Sequence, residues 1–227
     1  MLQSGAVSLT GDKALKHDTH PRALAIPTQL SLISVMTSWL SRLFGSAQSP
    51  SLQLFGIHVD VQNTRTDIDT DSVLERLGES LAMIAQYQPI RFAHLQRDVR
   101  AIRVERYACR GAFIPSERVI ITELTFLARR DISPAPVASS ILHEGVHARV
   151  HAFTERVLGG RIDRDMAHEE RLCRRAEITF GLSLPRALGA PVLARAQASL
   201  ELDDQGVAPT VDWNLAQQRI QQVDNSA

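Results

Sequence analysis

Residues 140–150 read Ser-Ile-Leu-His-Glu-Gly-Val-His-Ala-Arg-Val. This stretch contains one His-Glu-x-x-His motif, from His143 to His147. On a helix, residues four positions apart lie one turn above each other on the same face, so both imidazoles can reach one metal ion. Glu144 is rotated by about 100° from His143 and flanks the ion, where a general base is needed. The motif therefore predicts a zinc site with a catalytic carboxylate beside it.

The residues around the motif predict a long amphipathic helix. Ser133 is the expected N-cap, Pro134 the first helical residue, and Gly159 with Gly160 the stop. An apolar stripe recurs at three- and four-residue steps: Ala138, Leu142, Val146, Val150, Phe153 and Val157. Both histidines of the motif are expected beside this stripe, at the edge of the buried face.

Gly145 lies inside this predicted helix, where glycine lowers the stability of the helix by about 1 kcal/mol relative to alanine. A position without a side chain next to a metal leaves room for a substrate backbone, which is the reason we expect for this glycine. The alternative interpretation of the motif is a pair of surface histidines on an amphipathic helix.

Length and composition set limits on the class of protein. The chain has 227 residues, enough for one domain with a sizeable core or for a domain with tails. Lys and Arg together number 25, as do Asp and Glu, so the net charge gives no indication of nucleic-acid binding. Cys109 and Cys173 are too few for a disulfide framework, and they neither demand nor exclude a reducing compartment. We expect a cytoplasmic globular protein, with membrane association as the alternative.

The first 50 residues are expected to form a tail with an amphipathic helix and a linker. Residues 1–22 are polar and aperiodic, and residues 45–50 have the composition of a linker. Residues 24–44 carry apolar side chains at helical spacing: Leu32, Val35, Met36, Trp39, Leu40, Leu43 and Phe44. We interpret them first as a helix that packs on the domain or a partner, second as an interfacial helix at a membrane, and third as an anchor.

The order of predicted elements indicates an α+β fold. Strands are predicted over residues 54–61, 101–108, 111–114 and 118–122. Helices before the motif are predicted from a capping box of Ser72 and Glu75 to Pro89, over residues 90–98 and over residues 124–130. After the motif only helices are expected, over residues 163–181, 186–202 and 211–223. This order predicts a small mixed or antiparallel sheet packed on the motif helix, followed by an all-helical C-terminal part.

Two histidines leave a catalytic zinc site short of a third protein ligand. His151 is eight residues from His143, or about 12 Å along the helix axis, too far to share one ion with both motif histidines. The third ligand is therefore expected on the helix over residues 163–181. That helix offers three carboxylates: Glu169, Glu170 and Glu177.

The motif, followed after a glycine-containing turn by this glutamate-bearing helix, resembles the arrangement in gluzincins. More narrowly, residues 134–185 resemble small bacterial gluzincin-like proteins. The resemblance implies zinc on His143, His147 and Glu170, with Glu144 as general base. It also implies a zincin-like catalytic domain over residues 51–185, with residues 186–227 as a helical extension. Gluzincins commonly carry an acid four residues after the glutamate ligand.

Arg174 stands at that position here, so the hydrogen-bond partner of a ligand histidine is unassigned, and Glu177 is the candidate. Three other residues are candidates to donate to a developing oxyanion: Tyr107, His151 and His168. Cys173 is interpreted as a small buried residue, with a metal ligand or a nucleophile as the alternatives.

The resulting hypothesis is a zinc-dependent hydrolase that cleaves peptide bonds. A peptide or protein substrate is expected to bind as an added strand at a sheet edge within residues 101–122. Contact with a partner or a membrane surface is expected through residues 24–44. The alternative is a catalytically silent zinc-binding domain that serves as a protein-interaction module.

Overall fold

The computed structural model describes residues 52–159, 165–209 and 212–225. The described residues belong to one compact unit that begins at Ser51. The amphipathic helix, the tail and the linker expected before residue 51 lie outside the described residues. None of the helices within the described ranges is both long enough and apolar enough to cross a bilayer. The boundary expected between residues 185 and 186 stays a prediction.

Five strands form one mixed sheet. They are β1 (Leu52–Leu54), β2 (Ile57–Val61), β3 (Ala101–Glu105), β4 (Gly111–Ile114) and β5 (Val119–Glu123). The spatial order is β1-β2-β3-β5-β4, in which β2, β3 and β5 are parallel while β1 and β4 pair antiparallel to their neighbours. Every residue of the inner strand β5 is buried, as expected for a strand covered on both faces. The predicted mixed sheet and the α+β class are confirmed.

The single strand predicted over residues 54–61 is wrong, because a tight turn divides it into β1 and β2. Phe55 and Gly56 both have positive φ, at 51° and 77°, as in the two-residue turns that suit hairpins. The Phe55 ring packs edge-on against Phe92 at a centroid distance of 6.2 Å, and its carbonyl accepts a 2.7 Å hydrogen bond from Gln96. Apolar alternation continues through this turn, so the sequence pattern alone does not reveal it.

Eight helices are described: α1 (Thr70–Tyr87), α2 (Pro89–Asp98), α3 (Leu124–Ala128), α4 (Ala135–Leu158), α5 (Met166–Ser183), α6 (Arg186–Leu200), α7 (Asp204–Val207) and α8 (Trp213–Asn225). The predicted capping box at Ser72 is wrong, since Asp69 caps α1 by accepting from the Ser72 N–H at 2.8 Å. Pro134, and not Ser133, is the N-cap of α4, and no side chain caps it. Gly159 ends α4 in the left-handed region at φ 60°, as predicted.

The motif helix α4 is the central element of the fold. It contacts α1 and α2, α5 and α6, and the strands β4 and β5. Its N-terminal half carries the predicted buried stripe, with Ala138 and Leu142 at 0% and 2% exposure. The stripe prediction is wrong for the C-terminal half, where Phe153 and Val157 are 48% and 61% exposed. The buried half of the helix holds the motif.

Gly145 faces α2 and not a substrate cleft. A Cβ at this position would lie 2.9 Å from Cδ1 of Leu95, a core residue that is 1% exposed. The expectation that Gly145 makes room for a substrate backbone is therefore wrong. The missing side chain lets α2 approach the motif helix closely.

A glycine also sets the position of α5, the helix expected to supply the third ligand. A Cβ on Gly189 of α6 would lie 2.1 Å from the carbonyl oxygen of Gly181 in α5. We expect Gly189→Ala to lower the free energy of unfolding by about 3 kcal/mol, because backbone must move to relieve the overlap. Gly78→Ala in α1 is the matched control, since no atom lies within 4 Å of its added Cβ. That control should stabilise by up to about 1 kcal/mol. Equal urea midpoints for the two variants would contradict this packing.

Candidate metal centre

The two motif histidines and one glutamate converge on a single point. His143 and His147 lie one turn apart on α4, and their Nε2 atoms are 3.2 Å from each other. Glu170 of α5 brings one carboxylate oxygen to 3.2 Å from Nε2 of His143 and the other to 3.2 Å from Nε2 of His147. Glu170 thus contacts the Nε2 atoms of both rings, whereas the closest contacts of Glu169 and Glu177 are with the Nδ1 atoms.

These spacings fit a small tetrahedral ion. Zinc binds imidazole nitrogen and carboxylate oxygen at about 2.0–2.2 Å, so neighbouring ligand atoms in a tetrahedron are about 3.3–3.5 Å apart. The three observed separations of 3.2 Å are close to that value. His143, His147 and Glu170 are therefore able to hold one ion without large movements.

A second carboxylate stands behind each imidazole. Glu177 lies 2.7 Å from Nδ1 of His143, and Glu169 lies 2.6 Å from Nδ1 of His147. Because an ionised carboxylate only accepts hydrogen bonds, each Nδ1 carries the proton and each Nε2 presents its lone pair. Such partners orient metal-binding histidines and raise their basicity. Glu177 thus lies where a partner of a ligand histidine would lie, and Glu169 lies in the matching position on the other ring.

Sequence reasoning missed this role of Glu169, because adjacent residues on one helix were expected to point in different directions. They do, but His147 presents two ring nitrogens to α5. Glu170 contacts one nitrogen and Glu169 contacts the other. A glutamate pair facing two histidines one turn apart is a signal that would have suggested both roles.

Cys173 is a second candidate for the third ligand. Its thiol and one nitrogen of each motif histidine lie within 4.8 Å of one another. Cys173 is completely buried, and burial raises the pKa of its thiol to about 11. The interpretation as a buried residue is correct, but the sequence did not indicate its position beside the histidines. We favour Glu170, because both of its oxygens are close to the rings and a carboxylate needs no deprotonation to bind a cation.

Glu144 stands beside the convergence point and against the sheet. It is 8% exposed, and a Cβ on Gly111 of β4 would lie 3.3 Å from its Oε1 atom. Burial raises the pKa of Glu144, which strengthens it as a proton acceptor. The absence of a side chain at Gly111 lets β4 pass directly beside this carboxylate.

The centre carries an excess of negative charge. Four carboxylates surround the two motif histidines: Glu144, Glu169, Glu170 and Glu177. The nearby guanidinium is Arg174, 2.6 Å from Glu177 and 3.8 Å from Glu170. Burial opposes charge on both imidazoles, yet their hydrogen-bond partners outweigh it and raise the pKa of each. The carboxylates that favour protonated imidazoles would also favour a bound divalent cation, because the charge of the cation offsets theirs.

The three candidate oxyanion donors lie in different surroundings. His168 is exposed at the start of α5, and the His151 ring packs against Phe113 at a centroid distance of 5.8 Å. Tyr107 lies in the loop before β4, where burial and then the charges of Cys109, Glu105 and Glu144 raise its pKa. The charge of Glu144 thus acts on Tyr107.

The carboxylates behind the rings predict a measurable effect on metal affinity. Glu169→Ala and Glu177→Ala should each weaken zinc binding by about 10–100-fold, because each frees the Nδ1 proton that orients a ligand ring. Competition with a chromophoric zinc chelator measures this loss. Glu201→Ala, at an exposed acid, is the control and should bind zinc as the wild type does. Unchanged affinity in both site variants would contradict the orienting role.

Comparisons of this chain with models of known protein families, with curated proteins and with solved structures gave no match. The resemblance to gluzincins therefore depends on the motif and on the residues described above.

Proposed function

We propose that this chain is a zinc-dependent hydrolase that cleaves peptide bonds. The observation that carries the proposal is the meeting of two Nε2 atoms and the Glu170 carboxylate at mutual distances of 3.2 Å, with Glu144 beside them. The zincin-like fold is part of the proposal, and it is supported by a motif helix that packs on a mixed sheet and on a later ligand-bearing helix.

Each residue of the site has a separate role in the proposed reaction. His143, His147 and Glu170 would hold the ion, while Glu169 and Glu177 keep the two imidazoles in the required tautomer. When bound, zinc supplies Lewis acidity and lowers the pKa of water at the site towards about 7. Glu144 accepts the proton of the attacking water and passes it to the leaving amine. Its burial keeps this carboxylate basic enough for that task.

Strand β4 is the proposed binding surface for the substrate. Within the described ranges it pairs with β5 alone, so its other edge is where an added strand would bind. Gly111 at its start lies against Glu144. A peptide that extends the sheet at β4 would therefore pass beside the general base.

The experiment is a broad peptide-cleavage screen on the full chain with zinc, with a chelator, and with zinc restored. We expect cleavage that the chelator abolishes and zinc restores. Zinc-loaded protein that cleaves nothing across diverse peptides and unfolded proteins would contradict the proposal. That result would favour the interaction-module alternative.

A further inference from the structure

A cavity of about 260 Å³ adjoins the metal centre, and arginines line it. Its walls include Arg110 before β4, Arg129 after α3, and Arg195 of α6, together with Ser139 of α4 and Glu177 of α5. The volume is below the range of about 300–1,000 Å³ typical of pockets for drug-sized ligands, so it suits one side chain or one chain terminus.

Within the described residues, two of the three guanidiniums form no ion pair. Arg129 donates to Asp131 from Nε at 2.9 Å, so its charge is compensated. Arg110 stacks its guanidinium over the ring of Phe126, 5.0 Å from the centroid. Within the described part of the chain, neither Arg110 nor Arg195 forms an ion pair with a carboxylate. Burial lowers the pKa of Arg195; the charge of Glu177 opposes this shift, whereas the charges of Arg174 and Arg110 add to it.

The acid in the wall, Glu177, is already engaged. Its Oε1 atom lies 2.7 Å from Nδ1 of His143 and 2.6 Å from Nη1 of Arg174, and its Oε2 accepts from Ser139 at 3.1 Å. Three donors thus share this carboxylate, and Arg195 is not among them. The cavity therefore keeps an excess of positive charge.

We propose that this cavity binds a substrate carboxylate through Arg195 and Arg110, and so selects peptides with an acidic group near the cleaved bond. Guanidiniums that lack an acidic partner are strong donors to a carboxylate, because the fork of N–H groups matches its two oxygens. The peptide nature of the ligand rests on the proposed function, whereas the binding of a carboxylate does not.

The geometry limits where the acidic group lies in the substrate. Ser139 and His143 are four residues apart on α4, so they share a face and are separated by about 6 Å along the axis. An extended peptide rises by about 3.3 Å per residue. The acidic group is therefore one or two residues from the peptide bond next to Glu144, either as an Asp or Glu side chain or as the chain terminus.

Binding is tested on the full chain by calorimetry with three blocked ligands. Acetyl-glutamate amide carries only a side-chain carboxylate, acetyl-alanine only a terminal one, and acetyl-glutamine amide none. We expect at least one of the two carboxylates to bind at least 10-fold more tightly than the neutral amide, and the tighter of the two identifies the source. Equal affinity for all three ligands would overturn the proposal.

Variants assign the binding to the cavity. Arg195→Gln should weaken carboxylate binding at least 10-fold, and Arg195→Lys should weaken it less because the charge remains. Arg110→Gln, at an exposed residue, provides a second test if Arg195→Gln unfolds. The control is Arg186→Gln, at an exposed position of the same helix as Arg195. Carboxylate affinities unchanged in Arg110→Gln and in a folded Arg195 variant would overturn the proposal.

The same measurements separate this inference from the proposed function. If carboxylate binding depends on Arg195 but the protein cleaves no peptide, the proposed carboxylate site is supported and the proposed peptidase activity is refuted. The opposite result is cleavage with an equal kcat/KM for peptides that differ only by Glu or Gln near the cleaved bond, and for peptides with or without a free carboxyl terminus. That result would support the peptidase and refute the selection of acidic peptides by the cavity.

Discussion

Glu144→Gln is expected to abolish hydrolysis while the protein keeps its metal. General bases contribute about 10²–10⁴-fold to the rate, and the loss in kcat should fall in that range. The amide has nearly the same shape as the carboxylate, so it fits the space beside Gly111 without displacing β4. It cannot take a proton from water. Zinc content by elemental analysis and kcat on the best peptide of the screen give the two numbers needed.

The control for this variant is Glu155→Gln, an exposed acid on the same helix as Glu144. It should leave both zinc content and kcat unchanged. A Glu144→Gln protein with full zinc and wild-type kcat would exclude Glu144 as the base. Loss of zinc in that variant would instead place Glu144 among the ligands.

His147→Ala should remove the metal. The substitution deletes one of the three converging atoms, so the loss in zinc affinity should exceed the 10–100-fold expected for the orienting carboxylates. It also removes the imidazole that lies 2.6 Å from the buried Glu169 carboxylate, and breaking a buried pair in this way costs about 3–5 kcal/mol. Zinc competition and urea unfolding measure the two effects separately.

A double variant separates ligand loss from general damage. His147→Ala with Glu169→Ala should recover part of the lost stability, because the carboxylate that faced the deleted imidazole is removed as well, but it should bind no more zinc than His147→Ala alone. His151→Ala, one turn further along α4, is the control and should keep wild-type affinity. Wild-type affinity in His147→Ala would rule out the proposed site.

The proximity of His143 and His147 was predictable from the sequence, because the information is local. A four-residue spacing on a helix brings His143 and His147 together whatever the rest of the chain does. The turn at Phe55 was missed, since phenylalanine has no preference for positive φ and the apolar alternation runs through it. The exposed end of the apolar stripe, from Phe153 onward, was missed because a pattern does not say where the neighbouring helices end.

Features assembled from distant segments were not predictable from one sequence. Cys173 reaches the histidines only through the crossing of α4 and α5. The arginine cavity is still less local, because Arg110 precedes an edge strand and Arg195 lies on α6. No periodicity links such residues, and only the packed helices bring them together.

X-ray absorption at the zinc edge of the purified protein tests the central claim most directly. The account predicts a shell of nitrogen and oxygen scatterers at about 2.0–2.2 Å, from His143, His147 and Glu170, and no sulfur. A sulfur scatterer at about 2.3 Å would give the third position to Cys173. Protein that retains no zinc would contradict the site as a whole.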